Sequence, residues 1–295
     1  MSRITVRLVG GLGNQLHCYA FGKALAASQN VDVHFDCESG FWADTYGRCH
    51  LLDRFPLIAL NQKKMPKNVG GRWLYRMLIK VASKVCPRLP LVLRPLVIEP
   101  TPQCYREDIL TSSYLFNPYF IGYWASYRYC DGVEQSLRLE LQPPEPDHPK
   151  VLVWLEKIKN SQSCFVHYRS YREEKNVKHP PMANYYRKAI ALVAERFPDV
   201  RFFVFSDHHN SARADLSVVD IDLEFVEIEQ SSGDVNSLND FYLMYACEHA
   251  IIGNSTFSWW AAWLSDRKGK IVMSPDGLSP WGGDWAPPNW IKLGL

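Results

Sequence analysis

The 295-residue sequence has no excess of one charge, no long apolar run and no pair of cysteines at metal-binding spacing. Lysine and arginine number 33 against 31 aspartates and glutamates, a net charge of +2. That balance weighs against nucleic acid as the principal ligand, because a surface that tracks phosphates needs a strong basic excess. No apolar stretch approaches the ~18 residues that a membrane-crossing helix requires. Nor is this the composition of a disordered chain, since 47% of the residues are hydrophobic and 22% charged. Internal repeats and low-complexity tracts are missing. The eight cysteines (Cys18, Cys37, Cys49, Cys86, Cys104, Cys130, Cys164, Cys247) are scattered, with no Cys-x-x-Cys pair, and read as reduced core thiols of a cytosolic protein. The opening MSRITVRLVGG is interrupted by Arg7 and runs into glycines, which suits a first buried strand better than a secretory signal.

What is present is an alternation of short β-branched or aromatic runs with helical patterns, the mark of an α/β architecture with parallel strands. Ile4 to Val9 reads as a strand, Gly10, Gly11 and Gly13 as a turn, the residues up to Asn30 as a small-residue helix, and Val31 to Phe35 as a second strand. This is one right-handed βαβ unit. The stretch QPPEPDHPK between Leu141 and Lys150 carries four prolines and marks a junction between domains 1–145 and 146–295. Beyond it, strands are expected at Cys164 to Arg169, Arg201 to Phe205, Phe225 to Ile228, Ala250 to Ile252 and Ile271 to Met273. Helices are expected around 184–197, with Asn184 as N-cap, and near 238–248 and 256–265. The fold class is therefore α/β, with two Rossmann-like domains facing a cleft, where ligands bind at the carboxyl ends of strands.

Four groups of residues at such ends carry chemistry. Gly10-Gly11-Leu12-Gly13-Asn14-Gln15 exposes backbone N–H groups at a helix start, which suits a phosphate or a sugar hydroxyl; taken alone, the glycines favour a plain tight βα turn. Asp36 lies near the distance at which a dinucleotide fingerprint puts its ribose-binding acid, although Leu16 stands where the third glycine belongs. His167 and Arg169, two apart at a strand end, offer a planar donor fork and a further donor for phosphate oxygens. The competing account is a surface arginine beside a satisfied histidine. Ser206-Asp207 caps a helix or holds a ribose or base edge. Asn254-Ser255-Thr256 opens a helix with converging donors, with Thr256 as its N-cap, while Trp259, Trp260 and Trp263 read as packing. Two acidic or imidazole groupings, Asp220/Asp222 and Asp207-His208-His209, lack the setting and the third ligand of a metal site.

In this order the blocks GGLGNQLHCYAFGKALA, FWADTYGRCHLLDRF, GYWASYRYCDGVEQSLR, RFFVFSD and CEHAIIGNSTFSWWAAWL resemble the α-1,2-fucosyltransferase family, over nearly the whole chain. The resemblance implies a GT-B-like fold, GDP-fucose as co-substrate bound mostly by the C-terminal half, inversion at the fucose carbon, no metal or other cofactor, and an oligosaccharide or glycolipid-linked acceptor in glycan or O-antigen synthesis. His167 and Arg169 match the His-x-Arg of the family's donor motif, which usually continues Arg-Gly-Asp. Here Ser170, Tyr171 and Arg172 follow, so Arg172 would take the second arginine's place. His17 and Cys18 replace the usual pair after Gln15.

The implied mechanism is direct displacement, with Arg169, His167 and the groups at Ser255 and Thr256 stabilising charge on the leaving phosphate, and Asn14 orienting the sugar. Gly11, Gly13, Gln15, Arg172, Ser206, Asp207 and Asn254 complete the expected binding set. His17, Asp36 and Asp207 are all conceivable bases. A non-catalytic or altered-donor sugar-binding homologue and a nicotinamide-dependent oxidoreductase are the alternatives. The basic segment 72–98 reads as an ordinary amphipathic helix covering a sheet, with peripheral contact to the inner membrane as a second expectation for a cytoplasmic protein.

Overall fold

A computed structural model describes residues 3–169, 182–217, 219–228, 233–277 and 283–295. The chain divides into two compact units, Met1–Gln142 with Trp281–Pro287, and Pro143–Pro280 with Pro288–Leu295. The first break falls in the proline-rich stretch. The return of Trp281–Pro287 to the first unit is a feature that the two-part division 1–145 and 146–295 does not include. Asp284 anchors it, accepting from Tyr105 N at 3.0 Å through its carboxylate and from Tyr127 N at 2.9 Å through its carbonyl.

In the first unit, β1 (Arg3–Arg7), α1 (Leu12–Gln29) and β2 (Asp32–Asp36) form the expected βαβ unit. They are followed by α2 (Val69–Val85), β3 (Leu96–Ile98), α3 (Glu107–Thr111), β4 (Tyr119–Ile121) and α4 (Glu134–Glu140). The strands make one parallel sheet in the order β2-β1-β4-β3. Its core is aromatic: Phe21 of α1 stacks on Trp124 with ring centres 4.0 Å apart, and Tyr129 meets Phe21 edge-on at 5.0 Å. The helix α1 stops at Asn30, whose left-handed backbone (φ 52°) is a common way to end a helix.

The second unit runs α5 (Pro149–Lys159), β5 (Ser163–Tyr168), α6 (Ala183–Arg196), β6 (Arg201–Ser206), α7 (His209–Leu216), β7 (Leu223–Phe225), α8 (Gly233–Ala246), β8 (His249–Ile251), α9 (Thr256–Leu264), β9 (Val272–Pro275) and β10 (Ile291–Leu293). These strands form a second parallel sheet, β10-β9-β8-β5-β6-β7. β5 is buried along its whole length, as a central strand covered on both faces must be. Cys164, Val166 and Tyr168 join the cluster under α6, and Phe165 and His167 point to the opposite face.

Several local expectations are corrected. Pro149, inside the stretch read as helix-breaking, opens α5, because proline suits the first helical turn. Asn184 lies within α6 and caps nothing; Met182 holds the cap position and the side-chain Oδ1 of Asn184 accepts from the Arg187 guanidinium instead. The strand expected at Phe225 to Ile228 lies earlier, at Leu223–Phe225. All eight cysteines are free, but Cys49 is exposed and Cys104 half-buried, so they are not uniformly core thiols. α2 covers its sheet only thinly: Tyr75, Ile79 and Ala82 rest against Cys86, Leu96 and Tyr119, and no residue of the helix is fully buried.

Candidate functional site

In the second unit the carboxyl ends of β5, β6 and β8 present His167, Arg169, Ser206, Asp207 and the opening of α9. Two consecutive tyrosines of α6 hold the ends of β5 and β8 in place. The Tyr185 hydroxyl lies 2.7 Å from the carbonyl oxygen of Ile252 and 2.9 Å from that of Met273. The Tyr186 hydroxyl donates to the carbonyl of His167 at 2.9 Å and accepts from the backbone N–H of Arg169 at 3.3 Å. Both side chains are fully buried, so their hydroxyls need these partners. Gly253 makes the arrangement possible: a Cβ there would sit 2.5 Å from the Tyr186 hydroxyl and 2.9 Å from the His167 carbonyl oxygen. Nothing in the sequence pattern of this helix announced the two hydroxyls as strand-end clamps.

Arg169 projects beyond β5 and pairs with Asp207 beyond β6, Nε to Oδ2 at 3.0 Å, both side chains about one-third exposed (31% and 34%). Its guanidinium therefore sits in a half-solvated rim. His167 sits deeper, 6% exposed with its ring 5.9 Å from that of Phe257. Burial, with the Arg169 charge beside it, lowers the His167 pKa to about 3. The imidazole is thus neutral at physiological pH. It offers a ring N–H and no charge, and the positive charge of the His-x-Arg pair rests on Arg169 alone.

At the start of α9 the cap is Ser255 and not Thr256: the Ser255 Oγ accepts from Phe257 N at 3.3 Å. Asn254, Ser255 and Thr256 are all half-buried at this opening, and the three tryptophans behind them are packed in the core. Ser206 accepts from His208 N at 3.0 Å, shaping the turn after β6, while Asp207 is drawn to Arg169 and caps no helix. Arg172, with Ser170, Tyr171, Glu173 and Glu174, lies outside the described residues. Asp240 on α8 is a group the sequence reading missed. Removal from water pushes its carboxyl up to about 7, and its neighbour Phe241 packs on Phe257 of α9 with ring centres 5.3 Å apart.

The glycine turn of the first unit is built as a cradle. Gly10 adopts φ +76°, and a Cβ there would meet the Asn14 side-chain nitrogen at 2.6 Å, so Asn14 folds over a position that only glycine fits. Gly11 caps α1 through its extended backbone and faces open space. Gly13 is buried in the first turn. Gln15 is turned inward and fully enclosed. Its amide nitrogen donates to the carbonyls of Gly10 and Cys49, each at 2.9 Å, and its oxygen accepts from Leu51 N at 2.9 Å, so it braces the turn from within.

Two candidate bases are likewise enclosed. Asp36 has no exposed surface; it accepts from the backbone of Glu38 at 3.0 Å and Ser39 at 2.8 Å, and from the hydroxyls of Ser39 and Tyr119. It closes a turn and is not offered to a ribose, which removes the residue that motivated the nicotinamide alternative. His17 is 1% exposed, and burial lowers its pKa to about 3. Among the described residues no group of three or more His, Cys, Asp or Glu side chains is placed to hold a metal ion. No helix among them is long and apolar enough to cross a membrane.

The chain has the GT-B-like α/β fold of solved fucosyltransferases. The fucosyltransferase NodZ from Bradyrhizobium superposes with a TM-score of 0.53 at 15% identity, covering 88% of this chain and 91% of that one. Arabidopsis thaliana FUT1 in complex with GDP gives a TM-score of 0.50 at 12% identity, over 94% of this chain and 71% of that one. At such identities the likeness is one of fold. Residues 108–290 match glycosyl transferase family 11, and the chain belongs to that family. Along 99% of both chains it is 27% identical, over 311 aligned residues, to the Alpha-1,2-colitosyltransferase of Escherichia coli. A shorter stretch of 92 residues, 31% of this chain and 29% of the relative, is 34% identical to the O-antigen biosynthesis glycosyltransferase WbnK of Escherichia coli.

Proposed function

We propose that this family 11 glycosyltransferase moves a fucose-type sugar from a GDP-linked donor to a hydroxyl of an oligosaccharide or glycolipid-linked acceptor, the 2-hydroxyl of a β-galactoside being the first candidate, in surface-glycan or O-antigen synthesis. The second unit recognises the donor and the first recognises the acceptor. The observation that carries the reading is Arg169, held at the end of β5 by Asp207 and by the Tyr186 brace. A guanidinium fixed there is a planar, permanently charged donor group of the kind that recognises diphosphate oxygens.

The acceptor oxygen attacks the anomeric carbon as the bond from that carbon to the β-phosphate oxygen breaks, inverting the centre. The acceptor proton passes to a base or to solvent, and the bonding electrons leave with GDP. Arg169 stabilises the charge that grows on the β-phosphate. Neutral His167 and the donors at Asn254, Ser255 and Thr256 add uncharged hydrogen bonds, each such donor being worth about 2–4 kcal/mol where it meets developing charge. Ser206 and Asp207 contact the nucleoside. Asn14, Gly11 and Gly13 contact sugar hydroxyls. Of the three candidate bases, Asp207 alone keeps solvent access, through its half-exposed pair with Arg169. The reaction needs no metal ion.

Fucose and colitose differ by one hydroxyl, so donor identity is tested by measuring GDP release from GDP-fucose, GDP-linked colitose and GDP-mannose across a panel of β-galactosides. Acceptor-dependent release from either of the first two supports the proposal. Release from none, with binding of saccharide alone, favours a non-catalytic sugar-binding protein.

A further inference from the structure

The first unit contains a cavity of about 440 Å³, walled by the end of β1, residues 39–48 and one side of α2. That volume lies within the ~300–1,000 Å³ usual for small-molecule sites. Its lining includes four cations, Arg7, Arg48, Arg76 and Lys80, and one carboxylate, Asp44. Asp44 is already engaged: it accepts from the backbone of Tyr46 at 2.8 Å and of Arg48 at 3.0 Å, with the Arg48 guanidinium 3.9 Å away. The Nε of Arg7 is buried and has no hydrogen-bond partner among the described residues. A buried guanidinium nitrogen without an acceptor is costly, and an anion in the cavity would satisfy it.

Arg76 and Lys80 belong to α2, whose adjoining face is apolar and bare. Trp73, Leu74, Met77, Leu78, Val81 and Val85 are between 39% and 64% exposed. At about 100° per residue they cover roughly 140° of the helix, an arc that also holds Gly70 and Lys84, and the row Arg72, Arg76, Lys80 borders that arc on one side. The apolar face and the cavity therefore share one cationic edge. From residue 69 to residue 98 the sequence carries six cations (Arg72, Arg76, Lys80, Lys84, Arg88, Arg94) and no acid. Two copies of this helix laid face to face and antiparallel would bring their cationic rows together, which disfavours that pairing of two chains as the occupant. An anionic bilayer complements both features: acyl chains for the apolar arc, phosphates for the cations.

We propose that the cavity takes the phosphate or diphosphate headgroup of a membrane lipid while α2 lies in the bilayer interface on its outward apolar face. The headgroup oxygens sit among Arg7, Arg48, Arg76 and Lys80, and the chains of the same lipid pass beside Trp73 and Met77. This inference makes no use of the donor chemistry of the second unit, so its failure would leave the proposed transfer reaction standing.

Co-sedimentation of the full chain with vesicles tests it, comparing phosphatidylcholine alone with mixtures containing phosphatidylglycerol or phosphatidic acid. The chain is expected to pellet with the anionic vesicles. The exposed double variant Met77→Glu/Val81→Glu, checked for an unchanged melting temperature, should stay in the supernatant. Arg76→Gln/Lys80→Gln should weaken partition onto the anionic vesicles by tenfold or more, as expected for two interfacial cations. Arg7→Gln separates cavity from general surface charge, because its buried Nε does not touch the bilayer plane: loss of the anionic preference in a variant that still melts normally supports the headgroup site. Inorganic diphosphate, followed by thermal shift, gives the remaining arm. Stabilisation by diphosphate without vesicle binding would mean a free-phosphate site and overturn the proposal. So would vesicle binding that survives the double glutamate change.

Discussion

The guanidinium Nε of Arg169 and the Oδ2 of Asp207 lie 3.0 Å apart, tying the carboxyl end of β5 to that of β6. With both side chains about one-third exposed, the pair adds little to stability, since such half-solvated ion pairs are worth about 0–1 kcal/mol. Its effect is positional: it fixes where a permanent cation stands beside the opening of α9.

Arg169→Ala should therefore melt within a few degrees of the parent while its turnover falls about 10²–10³-fold, the usual loss when one donor to developing charge is removed. Arg169→Lys should fall between, because it restores the charge without the planar fork. Steady-state kinetics with circular dichroism on the same samples check both.

Behind that pair stands the clamp from α6. Tyr186→Phe removes the hydroxyl that bridges the His167 carbonyl and the Arg169 N–H, and should cost about 1–2 kcal/mol of stability together with a drop in kcat at little-changed acceptor KM. Gly253→Ala forces a methyl to 2.5 Å from the same hydroxyl and should destabilise by about 1–3 kcal/mol. Urea unfolding and a kcat-against-KM comparison distinguish these from a purely distant effect.

How much of this was readable beforehand depends on the physical signal each feature left. The βαβ start, the buried strands β5 and β6 and the proline-marked junction follow from periodicity and composition. β3 and β4, at Leu96–Ile98 and Tyr119–Ile121, escaped notice, each being only three residues long. Asp36 matched the spacing of a ribose-binding acid, but spacing does not reveal that a carboxylate is consumed by its own turn. Gln15 sits among exposed-looking glycines yet points inward, a direction set by the first turn of α1. Helix starts were misplaced by two residues at Asn184, where Met182 holds the cap position, and by one at Thr256, where Asn, Ser and Thr in series make equivalent caps until geometry picks one. The bare face of α2 was visible as an amphipathic pattern, whereas its lack of a covering partner belongs to tertiary structure.

Acid should weaken the fold through two buried imidazoles. His17 and His167 have pKa values lowered to about 3 from 6.5 by burial, so the unfolded chain binds protons that the folded one does not. Their contribution is intact above pH 6.5 and is lost as pH falls from there toward about 3. Urea midpoints across that window should decline, and His167→Gln should flatten the decline.

Asp240 works in the opposite sense. Its carboxyl is raised from 3.8 to about 7, so the folded state holds a proton that the unfolded state gives up, and stability falls as pH rises between those values. Asp240→Asn should remove that slope and, at pH above about 7, stabilise the fold by on the order of 1–3 kcal/mol, read by urea unfolding. An unchanged pH slope would show that Asp240 titrates normally.

Transfer activity should survive EDTA undiminished. Strict dependence on added manganese or magnesium would instead require a metal-binding set that includes residues such as Asp220 and Asp222, both exposed just before β7.

The account turns on a nucleotide diphosphate held by Arg169, and calorimetric titration of GDP into the parent chain and Arg169→Ala tests this most directly. GDP should bind the parent and bind the variant at least tenfold more weakly, with Arg169→Lys between the two. Equal GDP affinity in the parent and Arg169→Ala would contradict it.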